Sequence, residues 1–108
     1  MKINLEQVFK NRKGGNMTEE GALVTLGSVA YTGLVAQYPD EQNLSRDEKM
    51  KRGRLAQRLC AAEGEIDLKA EEITLLKTCI GKGYGPWIVV QSEDMLESPQ
   101  LRAVEDAS

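Results

Sequence analysis

The chain begins with a stretch, residues 2–9, in which apolar and polar side chains alternate. An alternation with a period of two is typical of a half-buried β-strand. Residues 10–16, Lys-Asn-Arg-Lys-Gly-Gly-Asn, then carry the glycine and asparagine side chains that tight turns with positive φ require. The pattern therefore predicts a short β-hairpin whose returning strand lies within residues 17–24. A second extended stretch, residues 65–68, is expected to join the edge of this hairpin.

The next two segments have apolar residues at helical spacing. A first helix is predicted over residues 26–38, because the hydroxyl of Thr25 can accept a hydrogen bond from its first turn. A second helix is predicted over residues 46–63, because Ser45 and Glu48 have the spacing of a capping box. The inward face of this second helix is expected to comprise Met50, Leu55, Ala56, Leu59, Cys60 and Ala62.

One face of the first predicted helix is built from small residues. Gly27, Ala30 and Gly33 follow one another at intervals of three. Because none of them has a side chain larger than a methyl group, the backbone of another element can approach this face closely.

Residues 68–97 form the stretch on which the earlier elements are expected to pack. A third helix is predicted in its first half, with Asp67 as its N-terminal cap. The glycine-rich corner at residues 81–85 is expected to end this helix, with one of its glycines as a left-handed C-cap. Pro86 then begins a fourth helix that runs to Glu97, since proline is well suited to the first turn of a helix.

Together these elements predict an α+β fold that is predominantly helical, with a short N-terminal β-hairpin followed by about four helices around one core. A chain of 108 residues has room for one such core. We therefore expect a single globular domain over residues 1–97. Residues 98–108 are polar and have little to bury, so they are expected to form a flexible C-terminal tail.

The composition removes most catalytic chemistry from consideration. The chain has no histidine and no Cys-x-x-Cys pair, which excludes the usual zinc sites and every histidine-dependent nucleophile. Its two cysteines, Cys60 and Cys79, fall on the apolar faces of predicted helices, where reduced and buried thiols are expected. We therefore expect a non-enzymatic protein without catalytic residues, metal ions or cofactors.

Nothing in the sequence predicts a membrane protein. The N-terminus lacks the apolar core of a secretory signal, and no apolar run approaches the ~20 residues that cross a bilayer. The expected location is the cytoplasm, with no membrane partner.

Charge is distributed unevenly along the chain. Residues 1–62 hold 10 basic and 7 acidic side chains, a net charge of +3, whereas residues 63–108 hold 4 and 10, a net charge of −6. This polarity permits a symmetric homodimer in which the basic half of one chain meets the acidic half of the other. The basic excess is expected on the outer face of the second helix, at Arg46, Lys49, Lys51, Arg52, Arg54 and Arg58.

Lys51, Arg54 and Arg58 form one row on that helix, because they are three and four residues apart. As a functional surface, this row and Arg46 would attract an acidic partner protein or the phosphates of a nucleic acid. As a structural surface, it is a solvated helix face that the acidic half of the molecule balances. No aromatic side chain is interleaved with the basic ones, which weakens a mode of binding that depends on base stacking.

Two glycine-rich segments raise the alternative of anion binding. Residues 81–86, Gly-Lys-Gly-Tyr-Gly-Pro, place Lys82 just before a helix N-terminus, where free N–H groups favour negative charge. Arg12 and Lys13, together with Lys10, lie in the predicted turn of the hairpin, whose backbone N–H groups can also bind phosphate. The structural interpretation, a helix cap and a solvated turn, explains most of the same residues.

The apolar run Trp87-Ile88-Val89-Val90 follows the glycine-rich corner. It suits the buried start of a helix. Were it exposed, it would instead be an interface for a second copy or for another protein. Trp87 is therefore a candidate partner-binding residue.

Several short motifs carry a resemblance to a known family. They are Met-Lys-Ile-Asn-Leu at 1–5, Leu-Val-Thr-Leu-Gly-Ser-Val-Ala at 23–30, Lys-Arg-Gly-Arg-Leu-Ala-Gln-Arg-Leu at 51–59, Ile-Asp-Leu-Lys-Ala-Glu-Glu-Ile-Thr-Leu-Leu-Lys at 66–77 and Gly-Pro-Trp-Ile-Val-Val-Gln at 85–91. With them, the sequence resembles a family of small uncharacterised proteins encoded by tailed phages and prophages. The resemblance covers about residues 1–97 and implies no catalytic residues.

The resemblance implies the roles that such small phage proteins have. The leading expectation is a non-enzymatic interaction protein that binds and modulates a host or phage protein. One alternative is a nucleic-acid-binding regulator that uses the basic face of helix 46–63. Another is a factor that assists assembly of the phage particle, either its tail or its capsid.

Overall fold

A computed structural model of the protein describes residues 1–97, and the expected tail, residues 98–108, lies outside the described residues. Its elements are β1 (Lys2–Asn4), β2 (Thr18–Glu19), β3 (Ala22–Leu23), α1 (Leu26–Val35), a 3₁₀ helix (Pro39–Glu41), α2 (Arg46–Ala61), β4 (Glu65–Asp67), α3 (Ala70–Gly83) and α4 (Pro86–Glu97). The predicted α+β fold with four helices is confirmed. Over residues 1–97, none of the helices has the length and apolar character needed to cross a bilayer.

Strand β1 pairs antiparallel with β4, with Ile3 opposite Ile66. Both isoleucines are buried in the core, which explains why the alternating residues of β1 form a strand. The predicted addition of residues 65–68 to the N-terminal sheet is confirmed.

The hairpin differs from the prediction in its details. Residues 17–24 form a small hairpin of their own, in which β2 pairs with β3. The second part of the alternating stretch contacts this hairpin through Phe9, whose N–H donates to Val24 O at 2.9 Å and whose carbonyl accepts from Met17 N at 2.8 Å. The first part of the alternating stretch therefore pairs with β4 and its second part with the hairpin, because the chain bends between Leu5 and Phe9.

Helix α1 lies at the centre of the helical layer and packs against both α2 and α3, while α4 packs on α3. A Cβ atom added to Gly33 would lie 3.4 Å from the backbone of Cys79 and Ile80. The close approach predicted for the small face of α1 is therefore confirmed. The surrounding core is built from aliphatic side chains, each of which stabilises the fold by about 1.5–3 kcal/mol when fully buried.

The predicted helix starts are largely confirmed. Thr25 caps α1 in a reciprocal capping box with Ser28, the Ser45 side chain accepts from Glu48 N at 3.1 Å, and α4 begins at Pro86. Asp67 is not the cap of α3, because it lies in β4 and its carboxylate binds the Met1 ammonium group at 2.9 Å.

The N-terminus of α3 uses a different carboxylate. Glu72 Oε1 accepts from the N–H of Lys69, the residue that precedes the helix, at 2.9 Å. This interaction lies next to the positive end of the helix dipole, where a carboxylate is favourable.

Three other predictions about the helices are wrong. Helix α1 ends at Val35, and residues 36–44 form a linker that contains the 3₁₀ helix. Met50 and Cys60 are exposed, because the inward face of α2 is centred on Leu55 and Leu59 and neither residue falls on it. The glycines of the corner are not left-handed caps: α3 continues to Gly83, and Tyr84 follows it in an extended conformation.

Candidate functional site

Arg52 was predicted on the exposed basic face of α2, but it is buried. It is only 6% exposed, and its Nη1 and Nη2 donate to Glu41 Oε1 and Oε2, both at 2.7 Å. The sequence carried the signal for this burial, because Arg52 precedes the buried Leu55 and Leu59 by three and seven residues. A buried arginine needs such a partner, since an unpaired buried charge is strongly destabilising.

Glu41 also binds the lysine of the glycine-rich corner. Lys82 Nζ lies 2.8 Å from Glu41 Oε2 and 3.1 Å from Asp40 Oδ2. The hydrogen bonds from Arg52 and then Lys82 lower the pKa of Glu41 to about 2. The positive charge of Lys82 is thus already balanced by two carboxylates, so the corner offers an incoming anion little net attraction.

Tyr38 holds the linker beside this cluster. Its hydroxyl oxygen lies 2.7 Å from Gly33 O and 3.0 Å from Cys79 O, and its proton is shared between these two acceptors. Burial raises the pKa of Tyr38, so the hydroxyl stays protonated and continues to donate at neutral pH. The linker is thereby tied to α1 and to α3 at once.

The predicted row on α2 is exposed and lies on the side of the helix that borders the groove with α3. The Arg58 guanidinium pairs with Glu72 and donates to Asp67 O at 2.9 Å. Lys51 pairs with Glu48 at 3.4 Å. Arg54 lies between these two pairs and, like Arg46, has no ion pair with any residue in the part of the chain that the structure describes.

A groove of about 570 Å³ lies between α2 and α3 beside this row. Its apolar side chains are Met50, Leu55 and Leu75. Met50 remains 39% exposed there. The α3 side of the groove adds Lys69 and Glu71, neither of which forms an ion pair within residues 1–97. The groove therefore combines an apolar floor with charged groups that are available to a partner.

A second cavity, of about 690 Å³, lies between the end of α1, the linker and the start of α2. It is lined by Leu34, Tyr38, Leu44 and the buried Arg52. Among residues 1–97, the Arg52 Nε atom is buried and has no hydrogen-bond partner. The guanidinium is held by Glu41, which lines the same cavity.

The apolar run after Pro86 is partly exposed, which corrects the expected burial. Trp87 is 53% exposed and Val90 is 60% exposed. The indole Nε1 of Trp87 donates to Lys10 O at 2.8 Å. Gln91 binds the same residue twice: its Oε1 accepts from Lys10 N at 2.8 Å, and its Nε2 donates to Lys10 O at 3.1 Å.

The loop of residues 10–16 is held by Asn11. Asn11 Oδ1 accepts from Lys13 N at 2.9 Å and from Gly15 N at 3.0 Å. Gly14 has a φ of +85°, the left-handed conformation that the predicted turn chemistry requires. Arg12 and Lys13 are exposed in this loop, and no carboxylate of residues 1–97 forms an ion pair with them.

The structure brings together some of the predicted site residues and separates others. Trp87 and the loop of Arg12 and Lys13 meet through Lys10. The row on α2 belongs to the groove with α3, and Lys82 belongs to the cluster around Glu41. The glutamine that fixes the loop was not recognisable in advance, because Gln91 lies 81 residues from its partner Lys10.

The described residues hold no arrangement that indicates metal or thiol chemistry. Over residues 1–97, no three or more side chains of His, Cys, Asp and Glu lie close enough to bind a metal ion together. Cys79 is buried, and burial raises the pKa of its thiol, which disfavours the reactive thiolate.

The candidate sites are therefore a groove between α2 and α3 and an exposed indole beside a basic loop. Comparison of the chain with family models, with curated proteins and with solved structures found no match.

Proposed function

We propose that this protein is a non-enzymatic interaction protein, which binds an amphipathic helix of a partner protein in the groove between α2 and α3. The observation that carries the proposal is the groove itself, with an apolar floor and the unpaired Arg54 on its rim. Following the resemblance of the sequence, the partner would be a host or phage protein in the cytoplasm.

The shape and composition of the groove favour a helical partner. An amphipathic helix binds an apolar groove through side chains spaced by three and four residues. Met50, Leu55 and Leu75 supply apolar surface among charged and polar residues of α2 and α3. Met50 is the most adaptable of these side chains, since methionine is unbranched and fits partners of different shape.

The charges on the rim favour an acidic residue at one position of the partner. Arg54 has no ion pair within the described chain, so a carboxylate placed opposite it would gain a charge-assisted hydrogen bond. Lys51 and Arg58 already contact Glu48 and Glu72. They therefore add less to binding than the sequence alone suggests.

The same rim disfavours nucleic acid as the ligand of the groove. Glu48, Glu71 and Glu72 line the groove together with the basic row. A phosphate chain would pass these three carboxylates, and the repulsion would offset much of the attraction to Lys51 and Arg58.

A designed peptide tests the proposal. The probe is a fluorescein-labelled amphipathic helix with leucines at i, i+3, i+4 and i+7 and with flanking glutamates, compared with a version that carries lysines instead. We expect the glutamate peptide to bind and Arg54→Glu to weaken it about tenfold, measured by fluorescence anisotropy.

The matched control is Arg46→Glu, which changes the charge of the same helix outside the groove. Equal effects of Arg46→Glu and Arg54→Glu would contradict the proposal, because they would indicate attraction to net charge alone. Equal binding of the glutamate and lysine peptides would contradict it as well.

Self-association and particle assembly are the competing roles, and one measurement tests both. Light scattering after size exclusion gives the mass of the protein across a range of concentrations. A mass that remains that of one chain while the peptide binds supports the interaction protein. A stable dimer that blocks peptide binding would assign the groove to a second copy of the chain.

A further inference from the structure

The exposed indole of Trp87 is held in a fixed orientation. Its Nε1 donates to Lys10 O, so the polar edge of the ring is satisfied and points at the protein. Gln91, one helical turn further along α4, binds both the N–H and the carbonyl of Lys10. More than half of the surface of Trp87 nevertheless stays exposed, so part of the ring is accessible to a ligand.

The loop that contacts this indole is basic and well ordered by local hydrogen bonds. Besides the two bonds that Asn11 Oδ1 accepts, Asn11 N donates to Gly15 O at 2.8 Å, which closes the turn. Arg12 and Lys13 lie at its tip and extend into solvent. Lys10 Nζ donates to Asn16 Oδ1 at 2.7 Å, an interaction that leaves its charge unneutralised.

The indole and the cations are close together because Lys10 belongs to both features. Arg12 lies only two residues after Lys10, whose carbonyl accepts the indole N–H. This separation is at most about 7 Å along the backbone. The sequence showed no aromatic residue interleaved with basic ones, since Trp87 is more than seventy positions from the loop. The fold alone creates this combination.

We propose that Trp87 and the loop of residues 10–16 form a binding site for single-stranded nucleic acid. One base stacks on the exposed face of the indole, and Arg12 and Lys13 bind the neighbouring phosphates. Stacking on an aromatic ring together with a positively charged path for the backbone is the general mode by which proteins bind single strands. This site is separate from the groove between α2 and α3, and it goes beyond the proposed protein partner.

One exposed carboxylate lies further along α4. Asp94 is seven residues beyond Trp87, about 10 Å along the helix. Its carboxylate weakly repels phosphates on that side. A strand that extends from Trp87 across the loop of residues 10–16 avoids this carboxylate.

The protein contains its own probe for this site, because Trp87 is its one tryptophan. The experiment titrates the protein with dT12 and with U12 at low salt and follows the indole emission. We expect saturable quenching by at least one of the two, since a stacked base changes the surroundings of the ring. The two strands distinguish DNA from RNA as the preferred source of the base. Absence of quenching by either would overturn the proposal.

Variants of the loop test the role of the cations. With fluorescein-labelled strands, the double variant Arg12→Ala with Lys13→Ala is expected to weaken binding about tenfold at low salt. Its slope of log affinity against log salt is expected to be smaller by about 1.4, because each phosphate contact of a single strand contributes about 0.7. The control variant removes two exposed cations that lie outside both proposed sites, by Arg46→Ala with Lys49→Ala. Equal weakening by the two pairs would overturn the proposal.

Variants of the indole test stacking. Trp87→Ala is expected to weaken the labelled strand about fivefold or more, whereas Trp87→Phe retains an aromatic face and most of the affinity. Circular dichroism of both variants monitors the fold. If the phenylalanine variant is folded and binds as weakly as the alanine variant, stacking is contradicted.

Two further ligands distinguish other partners. A twelve-base-pair duplex keeps its bases stacked inside and is expected to quench Trp87 much less than dT12. A peptide of twelve glutamates carries charge without bases and is expected to leave the emission unchanged. Equal quenching by the duplex would overturn the stacking mode, and equal quenching by the peptide would assign the surface to an acidic protein. If single-stranded nucleic acid does not bind while the groove peptide does, this site is refuted and the proposed protein interaction is left intact.

Discussion

Two glycine-rich segments of this protein have opposite surroundings. Residues 10–16 and residues 81–86 both combine several glycines with at least one lysine. In the first segment, Arg12 and Lys13 extend from the loop without a carboxylate of the described chain to neutralise them. In the second, Lys82 lies between Asp40 and Glu41. The same residue types thus give an exposed basic loop in one place and a neutral structural contact in the other.

The backbones of the two segments differ as well. Gly14 adopts a φ of +85°, whereas Gly81 and Gly83 continue the helix α3. A glycine-rich segment therefore indicates neither a turn nor an anion site by itself. The element that packs against such a segment decides its structure and its charge. This element is α4 for the loop and the linker of residues 36–44 for the corner.

The largest expected effect comes from removing the carboxylate that neutralises the corner. Glu41→Gln leaves the buried guanidinium of Arg52 without its charged partner and frees the ammonium of Lys82. We expect the melting temperature to fall by about 10 °C or more, because an uncompensated buried charge is strongly destabilising. Thermal unfolding followed by circular dichroism measures it. The control is Glu63→Gln, an exposed carboxylate, and an equally small change in both variants would contradict the role of Glu41.

The same contact predicts a dependence of stability on pH. The pKa of Glu41 is lowered to about 2 in the folded protein, against an ordinary value of 4.5. A lowered pKa means that the ionised carboxylate stabilises the fold fully above pH 4.5 and loses this effect as the pH falls towards 2. The difference in unfolding free energy between the wild type and Glu41→Gln is therefore expected to shrink over this interval. Urea unfolding at several pH values measures this difference. A difference that is independent of pH would refute the lowered pKa of Glu41.

The next largest effect is a difference in stability between substitutions at two glycines of the corner. A Cβ atom at position 83 would lie 2.8 Å from the Tyr38 hydroxyl oxygen, which already contacts two carbonyl groups. Gly83→Ala is expected to cost about 1–3 kcal/mol of unfolding free energy, because the tyrosine must move. Gly81→Ala, which meets nothing within 4 Å, is the control and is expected to stabilise α3 slightly. Urea unfolding distinguishes them, and equal stabilities would contradict the packing.

The smallest effect concerns the glycine of the basic loop. Gly14 has open space around the position of a Cβ atom but a positive φ. Gly14→Ala is therefore expected to cost about 1 kcal/mol through backbone strain alone. Gly53→Ala, also in open space but within helix α2, is the control and is expected to be neutral or stabilising. If Gly14→Ala is as stable as Gly53→Ala, the left-handed turn does not constrain the loop.

The local part of the fold was predictable because its signals lie within a few residues of one another. Thr25 and Ser45 begin their helices as hydrogen-bonding caps, and Pro86 begins α4 because its missing N–H has no partner there in any case. The burial of Arg52 was predictable in principle from its spacing to Leu55 and Leu59. It was missed because a charged side chain is expected on the outside unless its partner is known.

The candidate sites depended on contacts that the sequence does not encode locally. Lys51 and Arg58 were correctly placed in one row, but their ion pairs with Glu48 and Glu72 changed what that row can attract. The groove beside them lies between α2 and α3, which both pack on α1. The charge available to a partner is thus a property of the assembled helices.

The sequence by itself determined where α1, α2 and α4 begin, most of the apolar residues that the helices bury and the absence of histidine chemistry, because these follow from short-range hydrogen bonding and side-chain type. Only the tertiary structure decided which distant residues meet: Ile3 with Ile66, Arg52 with Glu41, and Trp87 with Lys10. Each of these contacts joins segments whose separation along the chain gives no periodic signal. The physical reason is that burial and charge pairing depend on what lies nearby in space, and the packing of the whole core sets those neighbours.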